Sequence, residues 1–172
     1  ADHLLAVRLR EALVELGPTF IKLGQLLSTR PDLLPPIYIE QLETLQDKVS
    51  PMSLDDLNRQ IRSELGPPEQ VFAEFHPEPL AAASIGQVHL ARLKSGEQVI
   101  VKVQRPDIFI TVQNDLEIII ALAKIAERRS EAARRIGVVA MMEEYAKNLL
   151  HSLDYSREAR NTERIYKAFA DD

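Results

Sequence analysis

The chain has 172 residues, 45% of them hydrophobic, and a formal net charge of −5. That is enough apolar material for one packed domain with an extension, and it argues against disorder, while the acidic balance argues against a dedicated nucleic-acid binder, which needs a basic face. Cysteine is absent, which excludes disulfides and thiolate metal centres and fits a reducing compartment, and the histidines His3, His76, His89 and His151 stand at no metal-ligand spacing.

Residues 3–16 place Leu5, Leu9, Ala12, Leu13 and Leu16 at helical spacing. No basic region precedes an uninterrupted apolar core, so the stretch does not read as a signal peptide. It begins without Met, as a piece cut from a longer chain would. Gly17 and Pro18 close one helix and open the next. The second helix carries Lys22, Gly24 and Gln25 inside an apolar run and stops near Ser28, because Pro31 biases Arg30 away from helix. Taken alone, this is a half-buried amphipathic helix with a snorkelling lysine. A third helix is expected from Pro36 through Val49. Ser53 with Asp56 forms a capping box for a fourth helix, which ends at Gly66. Residues 1–66 therefore read as a helical extension.

After residue 66 the texture changes. "VFAEF" and "QVHLARL" alternate like strands, and "EQVIVKVQ" is rich in β-branched residues. Gly96 marks a tight hairpin between the last two. Asp107 is placed to cap a helix over residues 108–129, and Gly137 separates it from a second long helical stretch over 138–170. The longest apolar run, Ile118–Ala126, is interrupted by Lys124 and falls short of the roughly 20 residues a bilayer span needs. Helices, then a small antiparallel sheet, then helices make an α+β layout, with residues 67–172 as the second domain.

"AAASIGQV" lies at the junction of the first two expected strands. Against the kinase glycine-rich loop G-x-G-x-x-G-x-V, Ala81, Ala83, Gly86 and Val88 fall on the four marked positions. Lys102 ends "VIVK" on the strand after the hairpin. A strand–turn–strand arch can lay backbone N–H groups over nucleotide phosphates. The next strand then delivers one ammonium to the α- and β-phosphates. Either element alone is commonly an ordinary turn or a solvated lysine; their order and hairpin spacing make the pair informative. The Cβ atoms of Ala81 and Ala83 make positive φ costly, so this turn is expected to be stiffer than a glycine loop.

"FIKLGQLLSTRPDLLP", "PLAAASIGQVHLARLKSGEQVIVKVQRP" and "LDYSREARN" together resemble the ABC1/ADCK/UbiB family of atypical kinase-like proteins, over about residues 16–161. The resemblance implies a protein-kinase-like N-terminal lobe preceded by a helical extension. It implies that Ala81, Ala82, Ala83, Ser84, Ile85, Gly86 and Val88 bind adenine nucleotide with Lys102. It implies that Lys22, Gly24 and Gln25 are the family's K-x-G-Q motif, a gating element over the cleft that meets Asp154 or Glu158. Gly24 is expected to let that helix approach another backbone closely. The third motif, E-x-D followed by R-E-A, gives Asp154, Arg157, Glu158 and Ala159, with Lys102, Asp154 and Glu158 in the catalytic roles. This sequence departs from it at Ser152, which stands where the family has a glutamate. A serine cannot form the ion pair that such a glutamate makes with the nucleotide lysine.

The six glycines include none preceded two residues earlier by Asp, so no D-F-G equivalent is present, nor any H-R-D. The resemblance thus implies ATP or ADP with Mg²⁺ as cofactor, the metal ligands lying in a C-terminal lobe outside this chain and no metal site within it. The chain alone is expected not to catalyse phosphoryl transfer. The resemblance further implies a bacterial, cytoplasmic-side protein, whose longer parent is membrane-associated and engages lipid or quinone-biosynthesis proteins, not nucleic acid. Three readings stay open: an ATPase or phosphotransferase of isoprenoid-quinone metabolism, a pseudokinase scaffold gated by nucleotide, and a helical interaction module with an incidental hairpin.

Overall fold

The computed structural model describes residues 2–46 and 49–170. The chain divides into two compact units, residues 1–108 and 109–172. In the first, α1 (Asp2–Leu16), α2 (Pro18–Ser28) and α3 (Pro36–Glu43) pack on one another. Gly17 takes φ 102° between α1 and α2, with Pro18 opening α2 as the sequence predicts. Leu13, Leu42 and Leu45 form the buried centre of this group, flanked by Leu9, Phe20, Leu27 and Leu34.

α3 is shorter than expected. It ends at Glu43 and not at Val49, and Asp47 and Lys48, on which part of that expectation falls, lie outside the described residues. The last turn tightens: Thr44 and Leu45 donate their N–H groups three residues back, to Gln41 and Leu42 oxygens, and the Thr44 hydroxyl also bonds the Gln41 carbonyl. A threonine hydroxyl offers the backbone a local alternative to continued helix.

α4 (Leu54–Leu65) starts as the capping box requires, the Ser53 Oγ accepting from the Asp56 N–H at 3.1 Å, and it ends on Gly66 at φ 83°. A one-turn helix α5 (Pro68–Val71), absent from the sequence reading, precedes β1 (Phe72–Phe75). β2 (Ala81–Ala82), β3 (Gly86–Leu93) and β4 (Gln98–Gln104) complete an antiparallel sheet in which β3 pairs with all three others. The alanines of "AAAS" thus form a short strand of their own. The β3–β4 hairpin turns on Gly96 at φ 97°, as expected. Met52, Leu57 and Ile61 cover one face of the sheet, meeting Phe72, Ala91 and Val103 in a second core.

The second unit comprises α6, which starts at the boundary residue and spans Ile108–Arg129, then α7 (Glu131–Ile136), α8 (Val138–Leu153) and α9 (Tyr155–Ala170). α6 carries a buried stripe of Val112, Leu116, Ile119 and Ala123, and α8 one of Met142, Tyr145, Ala146, Leu149 and Leu153, both at helical spacing. Asp107 is not an N-cap for α6: it sits at φ 56°, left-handed backbone, whereas a cap residue needs extended backbone to aim its side chain at the first turn. Gly137 does separate the helices, in left-handed conformation at the end of α7. The single stretch expected over 138–170 is broken at Asp154. No helix among the described residues is long and apolar enough to cross a membrane.

Candidate functional site

Ala81 pairs with Val88, and Val88 with Lys102, across β2, β3 and β4. Directly opposed residues in an antiparallel ladder point to the same face. Ala81, Val88 and Lys102 therefore form one row, with Leu90 and Ile100 continuing the same face and Ile100 61% exposed. The other face carries Gln87, His89, Ala91 and Val103, all buried. Period-two alternation thus separates an open apolar face bearing the lysine from a closed one packed on α4.

The connection from β2 to β3 is tight. Ala83 donates its N–H to the Gly86 oxygen at 2.8 Å, Leu80 does so to Val88 at 2.8 Å, and Ser84 is buried at the bend. Among the described residues Asp107 alone, apart from glycines, has positive φ, so the alanine-rich turn is unstrained by its Cβ atoms. Gly86 opens β3 and is paired with Gln104.

Arg105 holds this turn, and Gln87 and His89 fasten the strand β3 that follows it. Arg105 donates its backbone N–H to the Ile85 oxygen (2.9 Å), its Nε to the Ala83 oxygen (3.0 Å) and an Nη to the Ser50 oxygen (2.6 Å). Gln87 accepts from the Met52 N–H through Oε1 (2.9 Å), so its amide NH₂ faces His89 and donates to Nε2 (2.8 Å). The His89 Nδ1 stands 2.9 Å from the His76 carbonyl, which can only accept, fixing the Nδ1–H tautomer. Phe75 stacks on the His89 ring at 5.2 Å between centroids. Periodicity cannot reveal this chain of bonds, although a glutamine and a histidine two apart on the core-facing side of a strand are the signal that could have pointed to it.

In α2, Gly24 and Gln25 serve the segment after α3. A Cβ on Gly24 would lie 2.3 Å from Leu45 Cδ1 and 2.9 Å from Leu13 Cδ1. The expected backbone approach at Gly24 is instead an approach of leucine side chains. Gln25 Nε2 donates to the Leu45 carbonyl at 3.3 Å, a group left over where α3 stops.

In the second unit, Asp154 stands between α8 and α9, its Oδ1 accepting from the Arg157 N–H at 3.0 Å. It is the N-cap of α9, and Arg160 lies 3.8 Å from its other oxygen. The unbroken helix expected through Asp154 and Glu158 is interrupted there, because α9 begins after the aspartate. Asp154→Ala is expected to cost about 1 kcal/mol of local helix stability, read as lost ellipticity at 222 nm with little change in the main unfolding midpoint, since among the described side chains of α9 all are exposed except the half-buried Tyr155. Ser152 donates its hydroxyl to the Leu149 carbonyl of its own helix at 2.7 Å. The Tyr155 hydroxyl is pushed above its ordinary pKa by burial and by the Glu158 carboxylate. Among the described residues no group of three or more His, Asp or Glu stands close enough to hold a metal.

The comparisons with known proteins agree on one family. The model of the ABC1 atypical kinase-like domain matches residues 44–172. A probable protein kinase UbiB from Pseudomonas paraeruginosa is 48% identical over 163 residues, 94% of this chain and 31% of that protein. Its counterpart in Aliivibrio fischeri is 45% identical over 170 residues, 98% of this chain, a span that takes in Lys22 to Gln25. Rv3197 of Mycobacterium tuberculosis, solved in complex with erythromycin, matches with TM-score 0.59 at 31% identity, over 92% of this chain and 40% of that one. The chain spans about a third of the length of the curated UbiB relatives. The family match extends through the sheet, the alanine-rich turn and the helices that follow; the chain belongs to the ABC1 atypical kinase-like family.

Proposed function

We propose that this chain is the nucleotide-covering part of an ABC1-type kinase-like protein and binds ATP or ADP through the β2–β3 turn and Lys102. The observation that carries the reading is the register that sets Ala81, Val88 and Lys102 in one row beside the turn. The Lys102 ammonium would meet the α- and β-phosphates. The apolar face of Val88, Leu90 and Ile100 suits a flat purine ring. Mg²⁺, when bound with the nucleotide, would neutralise phosphate charge; its ligands would come from a C-terminal lobe of the longer protein. The parent protein would act as an ATPase or phosphotransferase supporting isoprenoid-quinone biosynthesis, on the cytoplasmic side of a bacterial membrane with which it associates. Lys22 would present the extension's polar face toward that cleft as a gating element, with Gly24 and Gln25 seating its helix on the segment after α3.

Ser152 favours a second reading. Its hydroxyl is spent on its own helix, and it supplies no carboxylate. A nucleotide-gated scaffold without phosphoryl transfer needs no such carboxylate.

Titration of the chain with ATP and ADP, followed by calorimetry, tests the binding claim. Lys102 is exposed on β4, so Lys102→Met is expected to leave the thermal midpoint nearly unchanged. It should weaken nucleotide binding about tenfold or more, the loss of one charged hydrogen bond to phosphate. Equal affinity in the two proteins, or no binding by either, sinks the reading.

A further inference from the structure

We propose that Arg105 is a positioning residue: it sets the shape of the alanine-rich turn, ties that turn to the segment Ser50–Met52, and thereby governs how the turn discriminates ATP from ADP. The proposal rests on the nucleotide reading above and deepens it. Arg105 directs three donors at three backbone carbonyls, and two of these, Ala83 and Ile85, flank Ser84 within the turn itself. A peptide unit is planar and trans, so gripping the Ala83 carbonyl also fixes the opposite direction of the Ser84 N–H. The turn therefore has its amide directions set before any ligand arrives, which lowers the ordering cost of binding and removes the freedom to adapt to a different number of phosphates.

The third bond reaches outside the turn. The Ser50 carbonyl lies 55 positions away in sequence, and it is held at 2.6 Å by the same guanidinium. Gln87 independently takes the Met52 N–H at 2.9 Å. The segment leading into α4 is thus docked twice, once on the turn through Arg105 and once on β3 through Gln87. A planar guanidinium can satisfy Ala83 and Ser50 together because its Nε and Nη donors diverge in a fixed fork. A lysine ammonium, a single point on a flexible stem, cannot hold both carbonyls in that geometry.

The test uses Arg105→Lys and Arg105→Met in the whole chain, with amide hydrogen exchange of residues 83–86 and the ratio of ATP to ADP affinity as readouts. A brace that only stabilises the fold would move the thermal midpoint and leave the affinity ratio alone. We expect both variants to fold, exchange at 83–86 to quicken relative to the α4 amides, and the affinity ratio to move toward one by about threefold or more. Arg105→Lys, although it keeps the charge, should not restore the ratio. Unchanged exchange at 83–86 overturns the proposal, and so does a faster exchange with an unaltered ratio. An unsubstituted chain that binds neither nucleotide overturns the claim on discrimination through failure of the site; the clamp itself is then judged separately, by whether Arg105→Lys still quickens exchange.

Discussion

Gln87→Met is expected to lower the free energy of unfolding of the first unit by about 2–6 kcal/mol, as two buried groups lose their partners at about 1–3 kcal/mol each. Methionine nearly matches glutamine in volume, so no large cavity opens. The Met52 N–H loses its acceptor and the His89 Nε2 its donor, in a site where Gln87 is 2% exposed and His89 fully buried. Neither group can turn to water without opening the packing of Met52, Phe75 and the sheet. Urea unfolding should show the midpoint falling with the slope unchanged, the signature of lost stability and not of an altered denatured state. A midpoint shift below about 0.5 kcal/mol, the size of an ordinary surface substitution, would mean that the network contributes little. His89→Leu combined with Gln87→Met should cost less than the sum of the two single changes, because both remove the same bond.

Gly24→Val is the second large effect. Its Cβ would fall within 3 Å of two leucine methyls, Leu45 Cδ1 and Leu13 Cδ1, which belong to one buried cluster with Leu42. Leucine ends are flexible, yet both are enclosed, so relief requires the α1–α2–α3 group to open. Overpacking of this kind costs about 1–3 kcal/mol, and valine recovers only part of the roughly 1 kcal/mol by which glycine disfavours helix. Gly24→Ala, which recovers the most helix propensity and adds only the Cβ, should be milder. The measurement is the denaturation midpoint of each variant, with amide exchange in α2 and α3 localising the loss. If Gly24→Val were as stable as the parent, the close packing at Gly24 would be disproved.

Gly24 and Asp154 show what was legible and what was not. The sequence marks Gly24 and Gln25 as unusual in an apolar helix and ties them to a motif. It does not disclose that they meet Leu45, because the place where α3 ends depends on the Thr44 hydroxyl and on the tightened last turn. The sequence predicts a helix continuing through Asp154, yet its carboxylate captures the Arg157 N–H and starts a new helix. Both outcomes arise from short polar side chains competing with helical hydrogen bonds, a competition that apolar periodicity does not register.

The sequence by itself determined the coarse order of helices, sheet and helices, the α+β class, the Ser53 and Gly66 caps, the Gly96 hairpin and the family, because each is written in neighbouring residues: turn chemistry, a two- or 3.6-residue period, or a contiguous motif. Only the tertiary structure decided that Val88 lies between Ala81 and Lys102, that Arg105 fastens the turn and Gln87 fastens β3 to the segment Ser50–Met52, and that Gly24 admits leucine side chains. The physical reason is range. Those contacts join positions 7 to 55 apart, and which distant carbonyl or methyl fills a given space is settled by the packing of all the elements together.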